Sequence, residues 1–173
     1  MSSYTAVEYA KKAQQLAWDG RLPVDPSAIA RGLFIFKTLP DGQQVQVPIR
    51  VRALSNAQLG GCSGQASLQN GEYYCDYNAE EISYRSRFTI AHELGHVLLG
   101  HVNEGNPRQR DTTFSNGDPI ERDANMFAAE LIMPDFKVRE LYGSARNVQQ
   151  LAEAFGVSTA AMSYRLKNLG LAS

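Results

Sequence analysis

Two cysteines, one tryptophan and three histidines are all that the 173 residues hold of those types. Cys62 and Cys75 are too few for a disulfide scaffold, and residues 1–12 carry no apolar export segment, so both are read as free thiols. No stretch approaches the roughly 20 apolar residues of a membrane span, which excludes a membrane partner and leaves a cytoplasmic protein as the expectation. Charge of one sign is lacking too: 17 basic against 18 acidic residues give a net charge of -1. There is no overall basic field for nucleic acid and no acidic tail. With 43% apolar residues, the length suits one compact domain with a small appendage.

The scarce histidines are concentrated. His92, His96 and His101 lie within residues 87–101. On a helix His92 and His96 stack on one face, where both imidazoles can bind one metal ion. Glu93 is turned ~100° from His92, beside the ion, where it can take a proton from bound water. This is the H-E-x-x-H pattern of zinc hydrolases. Phe88, Ile90, Ala91, Leu94, Val97, Leu98 and Leu99 make the helix apolar nearly all round, and polar groups on a buried helix need partners or a metal. The longer pattern H-E-x-x-H-x-x-G-x-x-H requires Gly at 99 and His at 102, where the chain has Leu99 and Val102. Gly100 should end the helix. His101, turned far from His96 on any continuing helix, is read as a C-terminal dipole residue and not as a ligand.

Upstream, Ser3 or Thr5 can cap a first helix that Gly20 ends, and Asp25 can cap a short one. Strands are expected over 33–37 and 45–54, the second broken by Pro48. Residues 65–69 and 72–77 form a hairpin around Asn70-Gly71. Its second strand either covers the core or forms an edge that pairs with an extended substrate. Tyr73, Tyr74, Tyr77 and Tyr84 are read as packing residues, with oxyanion stabilisation the alternative. Residues 103–119 read as a long polar loop: a lid, a substrate-binding loop or a linker.

The next helix spans 120–133 and stops at Pro134. With Glu121 at zero, Ala124, Asn125, Ala128 and Ile132 fall within about 60°, a face suited to packing on the first metal helix. Asp123 and Glu130 project to the other side, towards solvent. Glu121 is therefore the acid aimed inward, completing a His-His-Glu site with an open fourth position, the catalytic zinc arrangement. The alternative is a plain N-terminal dipole acid. Asn125 is either a hydrogen-bond partner behind the ligands or an ordinary polar residue. In the tail, helices from Val148 and after Ser158 resemble a helix-turn-helix. Arg146, Arg165 and Lys167 against Glu153 make a thin cationic surface. Packing or partner docking is thus favoured over direct DNA binding.

The run Arg87-Phe88-Thr89-Ile90-Ala91-His92-Glu93-Leu94-Gly95-His96, followed by Glu121-Arg122-Asp123-Ala124-Asn125-Met126-Phe127-Ala128-Ala129-Glu130-Leu131-Ile132-Met133-Pro134, resembles the ImmA/IrrE family of metallopeptidases. The resemblance covers about the last half of the chain; the first seventy residues match only in general layout. It implies an α+β fold: a small zincin-like domain over 1–142, with an antiparallel or mixed sheet and the HExxH helix, then a helix-turn-helix-like segment over 143–173 packed on it. It implies one zinc ion per chain on His92, His96 and Glu121, and Glu93 as catalytic base. The implied substrate is a helix-turn-helix repressor of the XRE type, from a mobile element or a stress regulon, whose cleavage relieves repression. The competing class is a non-enzymatic regulator that binds a repressor or DNA around a structural or vestigial metal site.

Overall fold

The computed structural model describes residues 3–111, 117–145 and 147–172. Seven helices and five strands are present among them. The order is α1 (Ser3–Ala17), α2 (Pro26–Arg31), β1 (Phe34–Thr38), β2 (Gln44–Leu54), β3 (Gly64–Gln69), β4 (Glu72–Asn78), α3 (Ser83–Leu98), β5 (Arg108–Asp111), α4 (Pro119–Ile132), α5 (Asp135–Tyr142), α6 (Val148–Phe155) and α7 (Thr159–Asn168). The class is α+β, as expected. No helix among the described residues is long and apolar enough to cross a membrane, and both cysteines are buried free thiols.

Local chemistry accounts for most boundaries. Asp25 caps α2, accepting from the Ser27 and Ala28 amides, with Pro26 in the first turn. Asp118 and Pro119 open α4 in the same way. Asn147 caps α6, Gly156 closes it in the left-handed conformation at φ 63°, and Ser158 caps α7. The β3–β4 hairpin turns on Asn70 and Gly71, both at positive φ, as a tight type I′ turn requires.

The sheet order is β1-β2-β4-β3-β5, with β2 and β4 parallel and the other pairs antiparallel. Three expectations change here. Strand β2 runs through Pro48 unbroken: β1 pairs with it up to Pro48, and β4 pairs with it from Ile49 onward. The proline, which has no N–H to give, sits where the strand changes partner. Strand β4 is interior rather than an edge, because β3 pairs on its far side and β5 lies beyond that. β5 itself arises inside the segment expected to be a loop. One transverse row explains its hold. Arg52, Asp76, Gln65 and Arg110 are register partners across β2, β4, β3 and β5. Arg52 donates twice to Asp76 at 2.7 and 2.8 Å, Gln65 Nε2 donates to Asp76 at 2.9 Å, and Arg110 Nε donates to Gln65 at 2.9 Å.

One apolar cluster joins all layers. It includes Ala10 of α1, Ile29 of α2, Ile49 of β2, Cys75 of β4, Leu94 of α3, Phe127 of α4, and Leu151, Phe155, Met162 and Leu166 of the tail. Helix α4 packs against α1 and α3, and Arg165 of the tail closes on its C-terminal end, which corrects the outward placement of two acids: Asp123 is 3% exposed and Glu130 2%. The projection treated α4 as two-sided, whereas it is covered on nearly every side. Arg165 is likewise no surface cation. It is buried, ion-paired with Glu130, and donates to the Met133 carbonyl. Arg146 lies outside the described residues.

Candidate metal centre

Helix α3 buries every residue from Thr89 to Val97, including His92, Glu93 and His96. Its mate is α4, and the two approach closely at Gly95. A β-carbon there would lie 3.0 Å from the Phe127 ring, so glycine lets the helices meet. This contact brings Glu121, in the first turn of α4, over the imidazoles. His92 Nε2 is 3.1 Å from His96 Nε2 and 3.1 Å from Glu121 Oε2, and His96 Nε2 is 3.4 Å from Glu121 Oε1. One donor atom of each residue lies within 4.8 Å of the others, a group that could hold a metal ion.

The donor set fits zinc. Two imidazole nitrogens and a carboxylate, each about 2.1 Å from a tetrahedral ion, would sit about 3.4 Å from one another, close to the spacing found. All three are buried, with His92 and His96 fully so.

Around this triad the structure places residues that sequence reasoning missed. Gln109 of β5 donates from Nε2 to Glu121 Oε1 at 2.9 Å; no local signal marked it. Gly64 opens β3 directly against the buried Glu93, a close backbone approach of the kind that glycine at a strand position can announce. Asn125, one turn beyond Glu121, is half-buried.

His101 is the main correction. It is not turned away. Gly100, at φ 76°, reverses the chain, the Gly100 amide bonds the Val97 carbonyl, and the His101 amide bonds the His96 carbonyl at 3.0 Å. These two bonds are a Schellman motif, which sets the second residue past the cap over the residue five before it. His101 Nδ1 thereby comes 2.9 Å from His96 Nδ1. Burial, with His96 beside it, pushes the His101 pKa down to about 4, against the raising influence of the Asp123 and Glu121 carboxylates. His101 is therefore neutral near pH 7. A glycine at position 100 was the available signal.

Known proteins match the same region. The family profile of the IrrE N-terminal-like domain, peptidase family M78, fits residues 77–167, just over half of the chain. The chain is 33% identical over 86 residues to Metallopeptidase ImmA of Bacillus subtilis (strain 168), covering 49% of this chain and 50% of that protein. It is 34% identical over 70 residues to Uncharacterized immunity region protein 2 of Bacillus phage phi105, covering 40% of this chain and 44% of that one. Each match spans half or less of the relative's length. With the buried His-His-Glu group inside the matched stretch, the chain belongs to the ImmA/IrrE family.

Proposed function

We propose that this protein is a zinc-dependent endopeptidase that cuts a helix-turn-helix repressor, of the XRE type, at a defined site. The observation that carries the reading is the convergence of His92 Nε2, His96 Nε2 and the Glu121 carboxylate on one buried point of α3 and α4. In this reading those three residues hold one zinc ion, and Glu93, on the same helix between the two histidines, serves as base. Zinc held by these residues would supply Lewis acidity for the scissile carbonyl and for activating water near neutral pH. Glu93 takes the proton of the attacking water and returns it to the leaving amine. Gln109 holds the Glu121 carboxylate in place. Asn125 is proposed as a further hydrogen-bond partner behind the ligands.

The tail, residues 143–173, is proposed as a helix-turn-helix-like docking element on the peptidase domain of residues 1–142. Its cations favour protein over DNA, because Arg165 is consumed by Glu130 and Met133 and Lys167 is the exposed cation left on α7. The repressor substrate follows from the family resemblance, and a cytoplasmic location from the nature of that substrate.

Elemental mass spectrometry tests the metal reading: about one zinc per wild-type chain and clear loss in Glu121→Ala. Profiling of new protein N-termini in cells expressing wild type or Glu93→Gln tests the chemistry. A repressor fragment present only with wild type identifies the substrate. Zinc bound, but no cleavage difference between the two, supports a non-enzymatic regulator instead.

A further inference from the structure

We infer that His101 is a positioning residue that fixes His96 with its hydrogen on Nδ1 and a bare Nε2 facing His92 and Glu121. The inference rests on the reading of those residues as metal ligands. It starts from the 2.9 Å separation of the two Nδ1 atoms. Two ring nitrogens at this distance share one hydrogen, carried by one ring, with the other ring accepting through its lone pair. His96 Nε2 is the nitrogen that faces His92 Nε2 at 3.1 Å and Glu121 Oε1 at 3.4 Å, so ligation requires a lone pair there. The hydrogen of a neutral His96 must then be on Nδ1. His96 donates and His101 accepts.

The backbone, and not a chance rotamer, brings His101 to this place. The two cap hydrogen bonds and the positive φ of Gly100 set its direction. Asn106 Nδ2 donates to the His101 carbonyl at 2.9 Å, and Asn103 Nδ2 to the Gly100 carbonyl at 3.1 Å. Val102, 1% exposed, anchors the next residue in the core. His101 is not a further ligand, because the two nitrogens of one imidazole point to different sides and His101 is on the side away from the triad. The usual partner of a ligating histidine is a carboxylate, carbonyl or water. The His101 ring does the same orienting through the lone pair of its Nδ1.

Long-range proton–nitrogen spectra of metal-free wild-type protein labelled with 15N-histidine test the tautomer directly, and three histidines make assignment simple. His96 should show a protonated Nδ1 and a bare Nε2. A hydrogen on His96 Nε2, or an even mixture, would overturn the inference, whatever any variant does. Zinc affinity by chelator competition should then fall roughly 10- to 100-fold in His101→Leu, with most of the loss recovered in His101→Gln, whose side-chain oxygen can accept. Equal affinity in wild type and His101→Leu also overturns the inference while leaving the ligand set standing. Failure of the wild type to bind zinc refutes the ligand set and this role together.

Discussion

Gly64 and Glu93 touch so closely that no β-carbon fits between them: one built on Gly64 would lie 2.7 Å from Glu93 Oε1 and 2.5 Å from the Thr89 methyl. The first residue of β3 thus forms one wall of the pocket that holds the proposed base. Gly64→Ala must push that carboxylate or the strand aside. Overpacking of this kind costs about 1–3 kcal/mol. Zinc content should stay near wild type, because no ligand is touched. Cleavage should fall on the order of 100-fold, the usual penalty for displacing a reacting group by about 1 Å. Urea unfolding, metal analysis and a cleavage assay on the identified substrate separate the three effects, and full activity in the variant would refute the wall.

Gly95 sets the distance between α3 and α4. Alanine would gain about 1 kcal/mol of helix propensity, but its β-carbon would press on the Phe127 ring at 3.0 Å. Overpacking at about 1–3 kcal/mol outweighs that gain. Gly95→Ala should therefore be mildly destabilised, and Gly95→Val more so. Zinc affinity should drop as Glu121 is levered away. Adding Phe127→Leu should relieve part of the strain, so the double variant would be more stable than the sum of the two single changes.

Much of this site was legible in the residue order. The HExxH helix, the inward Glu121, the α4 stop at Pro134 and the Asn-Gly hairpin all follow from short-range rules of spacing and capping. What was missed depends on distant segments. Glu130 is buried because α1 packs on α4 and Arg165 of the tail pairs with it, and Asp123 is buried beside His101, on a face that a single-helix projection assigns to solvent. Gln109 meets Glu121 only because β5 pairs with β3, and a four-residue strand in a polar stretch gives no periodic signal. His101 differs, because its position is local: Gly100 ends the helix, as its residue type announces, and the same glycine turns the next residue back over His96 instead of continuing the helical path.

Gln109→Leu removes the amide that donates to Glu121 Oε1 but keeps the approximate volume. Zinc affinity should fall by roughly 10-fold, the low end for losing a partner of a metal ligand. Chelator competition against wild type reads this out. An unchanged affinity would show that the amide does not support the ligand.

Arg165→Ala strands Glu130 without its cation. Burial already raises the Glu130 pKa above the ordinary carboxylate value, against the lowering influence of Arg165. Removing Arg165 raises it further. A carboxyl whose folded pKa exceeds its unfolded one loses stability as pH climbs past the unfolded value. The variant should lose about 3–5 kcal/mol near pH 7 and less near pH 5, where Glu130 is increasingly protonated. Glu130→Leu combined with Arg165→Met should recover much of the loss. Denaturant curves at the two pH values check the sign.

That ion pair also bears on cooperativity. Arg165 grips the C-terminal end of α4, and Arg87 of α3 donates to the Gly156 carbonyl between α6 and α7. Both helices that carry the triad are therefore tied to the last thirty residues. Amide hydrogens in α3, α4 and α7 should exchange with solvent in one opening event, as a single foldon. A chain cut after residue 142 would then surrender the slowest-exchanging protons of the metal helices along with the tail.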